Sequence, residues 1–225
     1  MKVWVLVLTC LGLMATTSLP SAQSFMGFEL LDLDGAQVKW GGSGINLPAL
    51  VKYAVVLQEH NSPGARNCPG MQPIDALLEK SRIQHTEFVG ELNAAFDLWE
   101  KAANIEFRWV VDPQEADILI GAQSRPMGRA FTNIDYQPGP GPIRFIKRSL
   151  ICLNPEQPWK IGFDGNLDAY DLRYTLAHEI GHAIGLDHPS MTGELMSFQY
   201  DENFRRLQAG DLSGAAQIYG PRASN

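Results

Sequence analysis

Long apolar runs are missing from this 225-residue chain. The longest, Val3 to Met14, is too short to span a bilayer. No long basic run occurs, and the formal charge of −7 argues against nucleic acid or an anionic membrane surface as partner. Internal repeats, linkers and a second domain are lacking, so the chain is read as one well-cored unit. Cysteine is scarce, with three in all, and histidine occurs five times. His60 and His85 stand apart with no partner at ligand spacing, and both read as solvated surface residues. The other three histidines fall within eleven residues.

That stretch is His178-Glu179-Ile180-Gly181-His182-Ala183-Ile184-Gly185-Leu186-Asp187-His188, the pattern H-E-x-x-H-x-x-G-x-x-H. On a helix, His178 and His182 lie one above the other on one face. Two imidazoles on one turn can grip an ion at about 2.0–2.1 Å from each nitrogen. Glu179 sits beside the first of them, placed to serve as a base without itself binding the ion. Gly185 permits positive φ, so the helix can end there and the chain can swing His188 in as third ligand. Three ligands and an open fourth position describe a catalytic zinc site rather than a closed structural one. The alternative is a core helix whose histidine spacing is accidental. A chance match in a chain of this length is on the order of 1 in 100,000.

Residues 1–24 read as a signal peptide: Lys2 as the charged start, Val3–Met14 as the apolar segment, Ala22-Gln23-Ser24 as the cleavage pattern. Cys10 leaves with it. Cys68 and Cys152 remain, and an even pair in an exported protein reads as a disulfide, the alternative being two free buried thiols.

Leu50–Leu57 is expected as the first central strand, 58–73 as loop and 84–102 as an amphipathic helix with Phe88, Leu92, Phe96 and Trp99 on its inner face. Ile105–Val111 alternates as a strand, Ile118–Ile120 is a short buried one, and the order suggests a parallel crossover. Gly128–Thr132 is expected as an edge strand and Ile143–Leu153 as a long one. The histidine-bearing helix is expected to start at Asp168, a last helix to cover about 206–218, and 41–44 to form a break.

Ala95-Phe96-Asp97-Leu98-Trp99, Ala116-Asp117-Ile118-Leu119-Ile120, Tyr170-Asp171-Leu172, Asp211-Leu212 with Gly214, and Ile218-Tyr219-Gly220 resemble matrixin catalytic domains. With the histidine motif and Leu195-Met196-Ser197 as a methionine turn, the chain resembles a metzincin zinc peptidase of minimal bacterial matrixin type, from about Trp40 to Gly220. Pro189 and Met196-Ser197 look more like serralysins, but Phe198 stands where that family carries a ligating tyrosine. The resemblance implies an α+β fold: a twisted, mixed, mostly parallel five-stranded sheet, two long helices and a small C-terminal helical lobe. Residues 25–225 would form this single domain. The implied activity is zinc endopeptidase, with Glu179 as general base and Met196 under the metal.

By the same resemblance Tyr174 lines the bottom of the pocket for the residue after the cut, Tyr200 its wall, and Ala130 lies on the substrate-binding edge strand. A shallow pocket preferring a mid-sized aliphatic residue is expected. Arg129, Cys152 and Asn154 stand where matrixins hold structural-zinc ligands. That second zinc is therefore expected to be lost, with a Cys68–Cys152 disulfide taking over its bracing role. No matrixin-type propeptide is recognised. Acidic loop residues Asp164 and Asp168 leave Ca2+ open. The expected setting is extracellular or periplasmic, as a monomer acting on proteins, with no membrane association after signal cleavage. The rival readings are a hydrolase of a non-peptide bond and a catalytically silent zinc-binding module.

Overall fold

Strand pairing follows the apolar alternation along the chain. A computed structural model describes residues 27–41, 48–125 and 127–222. The expected signal peptide and most of the 41–44 break lie outside those residues. The main sheet comprises β1 (Asp32–Leu33), β2 (Ala36–Lys39), β3 (Ala49–Val55), β4 (Ile105–Trp109), β5 (Ile118–Ala122), β6 (Ala130–Tyr136) and β7 (Ile143–Leu153). Five of them run in the order β4-β3-β5-β7-β6. β3 is parallel to β4 and β5, β5 is parallel to β7, and β6 is antiparallel to β7. Two short strands extend the expected five, because the start of β7 pairs in parallel with β2, and β1 folds back antiparallel on β2.

The helices are α1 (Asp75–Ser81), α2 (His85–Ala102), α3 (Leu172–Ala183) and α4 (Ala209–Tyr219). The expected α2 stripe is buried: Phe88, Leu92, Phe96 and Trp99 are each at most 2% exposed. Each such side chain contributes about 1.5–3 kcal/mol. Trp99 also donates its indole N–H to the Ala177 carbonyl at 2.8 Å, fixing α2 against α3. α1 has no counterpart among the elements expected from the sequence. It ends where Arg82 adopts a left-handed φ of 56°, and Ile74, Leu77 and Leu78 bury its inner face. Among the described residues no helix is long and apolar enough to cross a membrane.

Alternation gives the sheet two dry faces. Val55, Ile118, Ile120, Ile151 and Leu153 face the helices. Ala54, Leu119, Leu150 and Cys152 face the other way, covered by the 58–73 segment through Cys68 and Met71. A disulfide joins Cys68 to Cys152 there. His85 is exposed, 3.2 Å from Asp75, and His60 contacts the Ser62 hydroxyl at 3.0 Å.

Candidate active site

α3 carries the site, and its start is fixed by long-range contacts. Asp171 caps it, accepting from the Tyr174 amide at 2.8 Å. The cap expected at Asp168 lies three residues too early, because Tyr170-Asp171 stays extended to pair with Trp159-Lys160. Asp171 is fully buried and accepts from Arg205 at 2.8 Å and from the Gly162 amide at 2.6 Å. Arg205 also reaches Glu91 of α2 at 2.6 Å, and Arg173 grips both oxygens of Glu91 at 2.8 and 2.9 Å. Breaking such a buried network by removing one member costs about 3–5 kcal/mol, since a charge is left without its partner.

The far end of α3 turns at Gly185, whose φ is 104°. A Cβ there would stand 2.2 Å from the Val38 carbonyl oxygen, so glycine answers both the backbone conformation and the close approach. Leu186-Asp187 then pairs antiparallel with Glu29-Leu30, which turns His188 back toward the helix.

The three imidazoles converge. Nε2 of His188 lies 3.0 Å from Nε2 of His178 and 3.1 Å from Nε2 of His182. Two nitrogens on one tetrahedral zinc would stand roughly 3.3 Å apart. Nδ1 of His178 is 2.8 Å from the Leu195 carbonyl, and Nδ1 of His182 is 2.8 Å from the Leu186 carbonyl. Carbonyls only accept, so each Nδ1 carries the proton and each Nε2 presents a lone pair. One proton on His188 Nε2 cannot serve both lone pairs, whereas a cation at their centre satisfies all three. Burial lowers all three histidines, His178 far below its ordinary value and His188 to about 4, which keeps them neutral and able to coordinate. Among the described residues this is the one cluster of three or more His, Cys, Asp or Glu side chains that could hold a metal ion.

Glu179 lies beside this cluster, and its carboxylate accepts from the Thr132 hydroxyl at 2.8 Å. Burial pushes its carboxyl up to about 7, against the lowering exerted by that hydrogen bond and by Arg129. Met196 is buried against α3. A Cβ on Gly181 would meet its sulfur at 2.2 Å and the Trp99 ring at 2.8 Å. Gly181→Ala is therefore expected to overpack this contact and lower stability by about 1–3 kcal/mol, read as a shifted urea midpoint; an unchanged midpoint would show that the helix gives way freely. The Met196 turn is held by Asp211 at the start of α4, which accepts from the Leu195 amide at 2.8 Å and the Met196 amide at 3.0 Å.

A cleft of about 840 Å³ runs past the histidines, lined by Ala130, Thr132, Glu179, His188, Tyr170 and Tyr200 among others. β6 starts at Ala130 rather than Gly128, because Asn154 draws the Gly128 carbonyl into a turn at 2.7 Å. Tyr174 does not line the cleft. It is 2% exposed, packed edge-on behind Tyr200 with centroids 5.0 Å apart, its hydroxyl buried without a hydrogen bond. Helical side chains lean over the preceding turn, and this one leans toward Phe163 and Phe204 instead of the cleft. The Tyr200 hydroxyl accepts from the Asp171 amide at 3.0 Å and donates to Glu202 at 2.8 Å.

Asp164, one of the acidic loop residues that leave calcium open in the sequence, is paired with Lys160, whose ammonium also reaches Glu202 and the Asn166 carbonyl. Thr132 and Asp211 carry no sign of their roles in the sequence, although Asp211-Leu212 belongs to the family pattern.

Comparison with known proteins identifies the family. The matrixin family model matches residues 76–220, opening later than Trp40. Matrix metalloproteinase-16 of Homo sapiens is 32% identical over 148 residues, covering 58% of this chain and 23% of that protein. Karilysin of Tannerella forsythia is 27% identical over 147 residues, covering 62% and 30%. Neutrophil collagenase of Homo sapiens is 30% identical over 154 residues, covering 62% and 30%. The chain thus spans between a fifth and a third of the length of these relatives. With the family match extending over more than half of its residues, the chain belongs to the matrixin family.

Proposed function

We propose that this chain is an exported zinc endopeptidase that hydrolyses internal peptide bonds of proteins. The observation that carries the reading is the convergence of three neutral imidazole Nε2 atoms beside Glu179, in an open cleft along a sheet edge. His178, His182 and His188 would hold the ion. Zinc, when bound, supplies Lewis-acid chemistry, polarising a carbonyl and lowering the pKa of a water. Glu179 takes the proton of the attacking water and passes it to the leaving amine, so it acts first as base and then as acid. The Thr132 hydroxyl holds that carboxylate in place. Met196, buried under α3, keeps the helix face from shifting.

β6 pairs on one side with β7. Its other edge opens on the cleft, and an extended substrate can add there as an antiparallel strand. Residues 1–24 serve as signal peptide and 25–225 as a single peptidase domain, in this reading a monomer that works outside the cytoplasm on protein substrates.

Incubating the protein with casein and with a peptide library tests the proposal. Internal cleavage is expected, abolished by a zinc chelator and restored by added zinc. Chelator-sensitive turnover of esters without cleavage of any peptide would replace it with the non-peptide hydrolase. Zinc binding without turnover of either would leave the silent module.

A further inference from the structure

Among the described residues that line the cleft, Arg129 is the one lysine or arginine. Its guanidinium carbon lies 5.2 Å from the centre of the Tyr170 ring and 5.5 Å from that of Tyr200. One Nη2–H donates to the Phe198 carbonyl at 3.0 Å. Those contacts position the group without neutralising it. Among the described residues no carboxylate lies within salt-bridge distance of Arg129. A guanidinium carries five N–H donors in a planar fork that matches a carboxylate. Two aromatic faces beneath it and one fixed hydrogen bond hold that fork ready, so little freedom is lost when an acid docks. The anchors come from both banks of the cleft, Arg129 from just before β6 and Phe198 and Tyr200 from the segment after Met196.

Direction along the cleft follows from the sheet edge. Thr132, in contact with Glu179, marks the reacting point, and Arg129 lies three residues toward the start of β6. A substrate strand antiparallel to β6 runs the other way, so Arg129 faces residues on the C-terminal side of the scissile bond.

We propose that Arg129 is a specificity-determining residue that selects an aspartate or glutamate in the substrate, just after the bond that is cut. The inference rests on the endopeptidase reading above. It replaces the preference for a mid-sized aliphatic residue, which depended on Tyr174 reaching the cleft.

The test uses fluorogenic peptides identical except for Glu or its uncharged isostere Gln, scanned through the positions flanking the cut. The wild type is expected to favour Glu over Gln in kcat/KM by about tenfold or more at the first position after the cut, as suits a charge-assisted pair. Arg129→Met, which keeps the stem over the tyrosines, should bring that ratio close to one. Arg129→Lys should retain part of it, and Arg129→Glu should reverse it in favour of Gln. Ratios within one variant cancel differences in folding or metal loading. A wild-type ratio near one at every position after the cut, or a ratio undiminished in Arg129→Met, overturns the inference while leaving endopeptidase activity standing. No cleavage of any peptide removes both.

Discussion

Replacing Glu179 with glutamine is expected to lower kcat/KM on a peptide substrate by about 10²–10⁴-fold, the range for loss of a positioned acid–base group. The size follows from the double task proposed for the carboxylate, since one group would both take and return the proton. The substituted amide could still accept from the Thr132 hydroxyl through its oxygen, so the fold and the histidine cluster should survive the change. Zinc content after dialysis should therefore stay near one per chain, and the thermal midpoint should shift little. Glu179→Ala should lose as much activity or more. Near-wild-type turnover in either variant, with zinc retained, would remove Glu179 from the proton path. Loss of zinc along with activity would move its role from catalysis to holding the site together.

Removing the Cys68–Cys152 disulfide is expected to lower stability substantially. The bond closes a span of 84 residues, and its loss costs about 2–5 kcal/mol where a native disulfide braces a secreted domain. For a domain of this size that corresponds to a fall in Tm of roughly 4–20 °C. Both cysteines are buried, and Cys152 lies opposite Phe131 in the β6–β7 register. The bond thus ties the 58–73 segment to the back of the sheet beside the strand proposed to hold substrate. Cys68→Ala with Cys152→Ala should lower the midpoint, and reductant should then change it no further. Wild type in reductant should approach the variant. Two free thiols titrated in the oxidised, denatured protein would rule the bond out.

The bracing question also bears on the metal count. The three residues that the resemblance sets where matrixins hold structural-zinc ligands make other contacts in the fold. Arg129 lies across Tyr170 and Tyr200, Cys152 is in the disulfide, and the Asn154 amide donates to Gly128. We propose one zinc per chain; a second zinc retained after dialysis of the wild type would overturn it.

The histidine motif, the α2 stripe and the strands at 105–109, 118–122 and 143–153 could be read from the sequence by itself. Their signals are periodic and local. Ligands four residues apart meet on any helix, and alternating residues part to opposite faces of any strand. Gly185 was legible for the same reason, because the need for positive φ falls on one residue. The cap at Asp171, the destination of Tyr174 and the place of Arg129 in the cleft were decided by tertiary structure. Asp168 and Asp171 are equally good caps locally, and only the pairing of Tyr170-Asp171 with Trp159-Lys160 chooses between them. Helix phase sets the angle at which Tyr174 leaves α3, whereas Phe163, Tyr200 and Phe204 determine where its ring comes to rest. Arg129 gives no local sign of lying in a cleft, since both tyrosines beneath it and the Phe198 carbonyl come from distant segments of the chain. A chain can specify its own turns through neighbouring residues, but which distant side chains share a cleft is settled by packing.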